Sequence, residues 1–342
     1  MPTIKIDVPG GQPLFDIASH GRRGPGRRDR LSPAEIALIA RTVHRSPEVM
    51  VKVLPKGSAE MSAVRRHVDY IGRGGQLALE SDEGERLEGR RLAEGLLEQW
   101  NLDLDEHRRS VQLIASRGRK PARLVHKLML SMPAGTSPER VRRAARSFLA
   151  KEFGAIHRYA FVLHTDAPHP HVHVLLKAVS ERGIRLRVNK RTLHRWRESF
   201  AEQLRAQGVE ANATSRAVRG QSRQSKHDSI FRAARRGEST HVNRRLQAIA
   251  EELSSGRLRV ESGRQQLLST RRKVEAGWHA LAHRVSKEGW PDLADDIRRY
   301  VEQMPLPRTE KEYLAHEWLA KRRSAQSIVT RSSREADLER HR

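Results

Sequence analysis

A chain of 342 residues has room for two domains, one with a sizeable core, but hydrophobic residues make up 37% of it and aromatics only 4%, so part of the chain is expected to be extended, helical and solvated. A net charge of +25 seeks a polyanion, and nucleic acid answers that better than a membrane, because no apolar run approaches the roughly 20 residues of a spanning helix. The absence of cysteine excludes disulfides and thiolate chemistry and agrees with a reducing cytoplasm, while the N-terminus lacks the apolar core of a signal peptide.

Residues 1–47 read as a basic arm followed by a short helix. The cluster Gly21-Arg-Arg-Gly-Pro-Gly-Arg-Arg-Asp-Arg30 cannot bury enough surface to offset its ordering, whereas Ser32-Pro-Ala-Glu35 has the form of a capping box and Ile36, Ile39, Ala40 and Val43 follow at helical spacing. A strand is expected from Glu48 to Leu54, closed by Pro55-Lys-Gly57. Ser58 then caps a helix whose apolar stripe is Met61, Val64, Val68 and Ile71, ended by Gly72-Arg-Gly-Gly75. Tyr70 falls roughly 140° from the centre of that stripe at about 100° per residue, so it faces away from the core. Arg66 and His67, one helical turn before it, are placed to face an anion.

Residues 76–120 read as polar and helix-prone, with Leu92, Leu96, Leu97 and Trp100 at helical spacing and a basic loop at 117–121. A strand spans Leu124 to Met132. Ser137-Pro138 opens a helix carrying Val141, Ala144, Ala145, Phe148 and Leu149 inward, with Gly154 just past its end.

The stretch His164-Thr-Asp-Ala-Pro-His-Pro-His-Val-His173 follows, set between the strand-like runs 158–163 and 172–179. His171 and His173 are two apart on a strand and leave the same face. A hairpin through Pro168 and Pro170 brings His164 alongside. Three imidazoles on one point suit a divalent ion in a nitrogen and oxygen shell, with Asp166 available to accept a hydrogen bond from the far nitrogen of one ligand. His169 has the opposite parity and reads as a loop residue. After a short run from Ile184 to Val188, a helix carries Leu193, Trp196, Phe200 and Leu204 on one side and ends at Gly208. The expected fold is α+β, with helices packed on one face of a mainly antiparallel sheet, over residues 48–220. Residues 221–342 read as a basic, mostly helical region.

Set in order, several of these segments resemble the conjugative and mobilisation relaxases of the HUH endonuclease superfamily, in particular the relaxases that cleave T-DNA borders. His67-Val-Asp-Tyr-Ile-Gly-Arg-Gly-Gly-Gln-Leu77 is similar to their first motif, Leu130-Ser-Met-Pro-Ala-Gly-Thr136 to the second, and His164-x-Asp166 with Pro170-His-Val-His173 to the third; Ala213-Thr-Ser-Arg216 and Arg219-Gly220 resemble the tail of that domain. The arm before residue 48 departs from relatives whose first strand begins near the N-terminus.

The resemblance implies that Tyr70 is the nucleophile, that His164, His171 and His173 hold the metal, and that Asp166 orients a ligand or takes a proton. Arg66, His67, Arg73, Ser131, Arg216 and Arg219 become candidate DNA contacts. It implies nicking of single-stranded DNA at a transfer origin through a 5′-phosphotyrosine with a free 3′ hydroxyl, and rejoining. The metal is left among Mg²⁺, Mn²⁺ and Zn²⁺. Implied partners are origin DNA, accessory relaxosome proteins and a type IV secretion coupling protein, with no membrane insertion; the implied location is the bacterial cytoplasm, with export alongside the transferred strand. Two other readings of the residues stay open. One is a three-histidine hydrolase using a metal-bound water, which needs no tyrosine; the other is a non-catalytic basic DNA-binding protein with incidental histidines.

Overall fold

The structure, a computed structural model, describes residues 30–54, 59–107, 122–154, 156–222, 236, 238–256, 259–320 and 322–323, and every structural statement below concerns these. The basic cluster before Arg30, the cap expected at Ser58, the basic loop at 117–121, most of 221–236 and the end of the chain lie outside them. Two compact units form: Arg45–Ala213, and Met1–His44 together with Thr214–Arg342.

In the first unit, β1 (Met50–Leu54), β2 (Leu79–Ser81), β3 (Arg86–Leu87), β4 (Val125–Ser131), β5 (Tyr159–His164) and β6 (His171–Lys177) make one sheet in the order β1-β4-β6-β5-β2-β3. Every neighbouring pair is antiparallel. The α+β class and the antiparallel sheet are as expected. The helices, however, cover both faces rather than one. Alternate residues of the central strands, including Leu128, Leu130, Phe161, Val172 and Val174, pack under α4 (Pro138–Phe153) and α5 (Lys190–Ala206). The intervening residues Val125, Ala160, Val162 and Leu175 pack under α2 (Met61–Ile71) and α3 (Leu92–Gln99). This two-sided burial is why β4, β5 and β6 read as nearly continuous apolar runs instead of alternating ones.

One further expectation changes. The segment read as helix-prone from residue 76 also holds β2 and β3, strands too short and polar to show a period. At the short run 184–188, Val179 and Arg185 make an isolated bridge. Helix α2 opens from Glu60, which makes no side-chain capping bond.

The second unit draws on both ends of the chain. Helix α1 (Pro33–Val43) carries the capping box in full: Glu35 N donates to Ser32 Oγ, and Ser32 N donates to the Glu35 carboxylate at 2.7 Å. Ile39 and Val43 share a core with Val218, with Trp278, Leu281 and Val285 of α7 (Arg264–Lys287), and with Ile297 and Val301 of α8 (Pro291–Glu302). Trp278 Nε1 donates to Val218 O at 2.9 Å, so residues just beyond 213 belong to this core. Helix α6 (Thr240–Ser254) adds a small cluster through Ile249, Leu314 and Ala315. No described helix is long and apolar enough to cross a membrane.

One stability consequence is local to the first unit. His126 of β4 is buried and pushed down to about 4, by burial first and then by Arg123, and burial also lowers His157. An unfolded imidazole titrates near ~6.5, so below that pH the unfolded chain takes up protons that the native state refuses. Stability is therefore complete above the unfolded value and declines as pH falls toward the folded one, by about 1.4 kcal/mol per pH unit for each such proton. The urea midpoint should drop between about pH 7 and about pH 5, and the drop should be smaller in His126→Leu. An identical pH profile in that variant would show that His126 does not contribute.

Candidate active site

Strand register assembles the site. His164 at the end of β5 lies directly opposite His171 at the start of β6, and His173 lies opposite Val162. Position 173 is two along from 171, so all three rings share the face covered by α2 and α3. The loop 165–170 closes the hairpin. Pro170 cannot donate a main-chain hydrogen bond; its carbonyl accepts from Met132 N at 3.3 Å and from Ser131 Oγ at 3.1 Å, tying the loop to β4.

One ring nitrogen from each of His164, His171 and His173 lies within 4.8 Å of the others, a spacing that could hold a metal ion. Ring centroids are 4.7 Å apart for His164 and His173, 5.2 Å for His171 and His173, and 5.3 Å for His164 and His171. Local hydrogen bonds fix two tautomers. His164 Nε2 donates to the Ile71 carbonyl at 2.7 Å, leaving the Nδ1 lone pair free to ligate. His171 Nδ1 donates to the His169 carbonyl at 3.2 Å, leaving its Nε2 free. The orienting role expected of Asp166 is thus performed by two backbone carbonyls. His173 Nδ1 is buried without a hydrogen-bond partner among the described residues, an uncompensated polar atom of the kind found at ligand sites.

Burial, with some help from Arg73 and His171, lowers His164; burial followed by the neighbouring His164 and His171 lowers His173 to about 3. Neutral imidazoles at physiological pH are the form that binds a metal. The donor set therefore fits a divalent cation.

Helix α2 supplies the other half of the site. Val64, Val68 and Ile71 anchor it to the sheet, and this rotates Tyr70 outward: its side chain is 55% exposed, as the helical spacing predicts. Tyr70 still touches the histidines, its ring centroid 6.3 Å from that of His173 and 6.3 Å from that of His67, with which it stacks. His67 itself stands 6.3 Å from His173 and is lowered to about 4 by burial and by Lys127.

The helix then turns sharply through Arg73, Gly74 and Gly75, all in the left-handed region. At Gly75 a Cβ would come within 2.1 Å of the Gly89 carbonyl oxygen, so only glycine fits. The turn throws the Arg73 guanidinium over the Tyr70 ring, 5.3 Å from its centroid, into an ion pair with Asp166 and to 3.5 Å from His164 Nδ1. Asp166 Oδ1 is 4.0 Å from His171 Nε2.

The structure therefore brings together Tyr70, His67, Arg73, Asp166 and the three histidines. Arg66 is exposed on α2. Ser131 is buried, opposite His171, with its hydroxyl committed to the loop carbonyl. Arg216 and Arg219 belong to the second unit. His169 lies with its ring tilted against that of His171, centroids 5.6 Å apart, besides lending it a carbonyl.

Sequence reasoning missed Lys127, which is 95% buried beneath α2 with its Nζ 3.5 Å from Ala63 O, and which burial and Arg66 shift downward. Its signal was strand parity: it shares a face with Val125, Met129 and Ser131, so it had to point inward.

Residues 81–209 match the family Relaxase: MobA/VirD2-like, nuclease domain. That segment is therefore similar to the nuclease domain of relaxases, and the three convergent histidines lie inside it. Within that class the match is to the MobA/VirD2-like kind. It takes in β3 through β6 and all of α5, touches β2 only at Ser81, and begins after α2, so Tyr70 and its turn stand N-terminal to the matched residues. No curated protein matches the chain.

Proposed function

We propose that this protein nicks one strand of DNA at a transfer origin by attack of Tyr70, and reseals it, in conjugative transfer or mobilisation. The observation that carries this is the position of Tyr70, exposed at the surface yet in ring contact with His173, one of the three histidines that could hold a metal.

A tyrosine hydroxyl titrates near ~10 and is a weak nucleophile at neutral pH, so the phosphate must be made electrophilic. A divalent ion held by His164, His171 and His173 would supply charge neutralisation at the scissile phosphate. An all-histidine donor set favours Mn²⁺ or Zn²⁺ over Mg²⁺. Tyr70 Oη forms a bond to phosphorus while the bond to the 3′ oxygen breaks; the tyrosine proton is lost and a proton is gained by the 3′ oxygen. The products are a 5′-phosphotyrosine and a 3′ hydroxyl. One phosphodiester replaces another, so the reverse attack by the 3′ hydroxyl restores the strand and frees Tyr70.

Arg66 and Arg73 flank the nucleophile and suit charge-assisted phosphate contacts, while His67, kept neutral by burial, has at most one ring N–H to offer. Ser131 serves through the loop it holds. Arg216 and Arg219, in the second unit, are candidate DNA contacts in this reading. The functional division is an arm at 1–47, the nuclease segment at 48–220 and a basic C-terminal region at 221–342. Accessory relaxosome proteins and a type IV secretion coupling protein are the partners the reading implies, in a bacterial cytoplasm. The test is denaturing electrophoresis after incubation with single-stranded origin DNA and Mn²⁺. A protein band carrying DNA that survives denaturation is expected, and cleavage without such a band would favour a metal-bound water as nucleophile.

A further inference from the structure

Arg73 occupies the left-handed backbone region that side-chain-bearing residues rarely adopt, within a turn whose next two residues are glycine. Its side chain reaches three functional groups at once: the face of the Tyr70 ring, the Asp166 carboxylate, and His164 Nδ1 at 3.5 Å. The last contact is the informative one. Because Nε2 of His164 is committed to the Ile71 carbonyl, Nδ1 is the only nitrogen of that ring with a lone pair to give. A guanidinium offers donors alone and keeps its charge. Arg73 and a divalent ion are thus two cations directed at one imidazole nitrogen, beside a single carboxylate.

We propose that Arg73 couples metal binding to DNA binding: it opposes a divalent ion at the three histidines until a DNA phosphate draws the guanidinium away from His164 and Asp166. The inference rests on the reading of the three histidines as the metal site. A DNA phosphate is the partner for which Arg73 would leave Asp166, since it offers the same two-oxygen geometry and single negative charge on a strand whose neighbouring phosphates add to the attraction, and the side chain already lies against the proposed nucleophile. With phosphate bound, the guanidinium and the ion are on the same side of the balance, each neutralising the same anion. The device makes a tight ion site conditional on a strand lying across Tyr70.

The experiment is a calorimetric titration of Mn²⁺ into the full-length chain, with and without a single-stranded oligothymidylate, for the unsubstituted protein, Arg73→Gln, Arg73→Gly and His173→Ala. Arg73→Gly suits the left-handed backbone, so it guards against misfolding as an explanation. Without DNA, both Arg73 variants should bind Mn²⁺ about tenfold more tightly, the scale expected for removing one nearby charge from a partly desolvated site. The oligonucleotide should tighten Mn²⁺ binding by a similar factor in the unsubstituted protein and by less than about twofold in the Arg73 variants. Unchanged or weaker Mn²⁺ affinity in both Arg73 variants, or an equal DNA effect in all backgrounds, overturns the coupling. Binding that persists in His173→Ala overturns the metal-site reading instead, so the two failures are distinguishable.

Discussion

Tyr70→Phe is expected to fold, to bind single-stranded DNA as the unsubstituted protein does, and to form no covalent adduct, with nicking reduced on the order of 10⁴-fold or more. The substitution removes one oxygen from a side chain that is 55% exposed and packs no core, so stability should be unaffected. The prediction is sharpened by the other tyrosines. Of the four in the chain, Tyr159 and Tyr300 are buried within their cores and Tyr313 is half-buried with its hydroxyl 3.5 Å from Ser222 Oγ. None offers an exposed hydroxyl beside an imidazole cluster. Mass spectrometry of a proteolysed reaction should find the nucleotide on the peptide holding Tyr70. An adduct on Tyr159, Tyr300 or Tyr313, or cleavage retained in Tyr70→Phe, would sink the tyrosine mechanism, and retained cleavage would point to a metal-bound water.

The second large effect concerns the histidines. His171→Ala and His173→Ala should each weaken Mn²⁺ binding by more than about 100-fold, beyond the roughly 10- to 100-fold that follows loss of an orienting hydrogen bond. His173 is the more decisive position. It is 6% exposed, touches His164, His171 and His67, and keeps a ring nitrogen without a partner among the described residues. Replacing it deletes a ligand while sparing the apolar residues that alternate with it on β6. Calorimetry gives the affinity and far-UV circular dichroism checks the fold. Native-like folding with undiminished Mn²⁺ affinity in both variants would place the ion elsewhere.

The hairpin was the most legible part of the chain because its logic is local. Strand parity between His171 and His173, and a short proline-bearing loop behind His164, are properties of ten consecutive residues, and the register pairs them accordingly. Tyr70 was legible for a similar reason: a helical stripe of Val64, Val68 and Ile71 fixes which way position 70 points. What could not be read depends on contacts distant in sequence. The Ile71 carbonyl accepts from a histidine 93 residues away, and no pattern in the sequence announces that a main-chain oxygen will do the work expected of Asp166. The Arg73 to Asp166 pair spans the same distance. Lys127 was visible only as a charge in an apolar strand, and β2 is held by pairing with β5, and β3 by pairing with β2, rather than by any periodicity of their own.

The unit that contains α1 is assembled from both ends of the chain, and this sets an order of events during synthesis. Arg45–Ala213 is continuous, so it can fold as soon as it clears the ribosome. Helix α1 emerges earlier but has nowhere to put Ile39 and Val43 until Trp278, Leu281, Ile297 and Val301 have been made, some 230 or more residues later. The helix with its capping box must wait while the nuclease unit completes itself. A chain interrupted after residue 213 would therefore carry a finished sheet and an orphaned amphipathic helix, whereas one begun at residue 45 would leave the C-terminal helices without two of their buried aliphatic side chains.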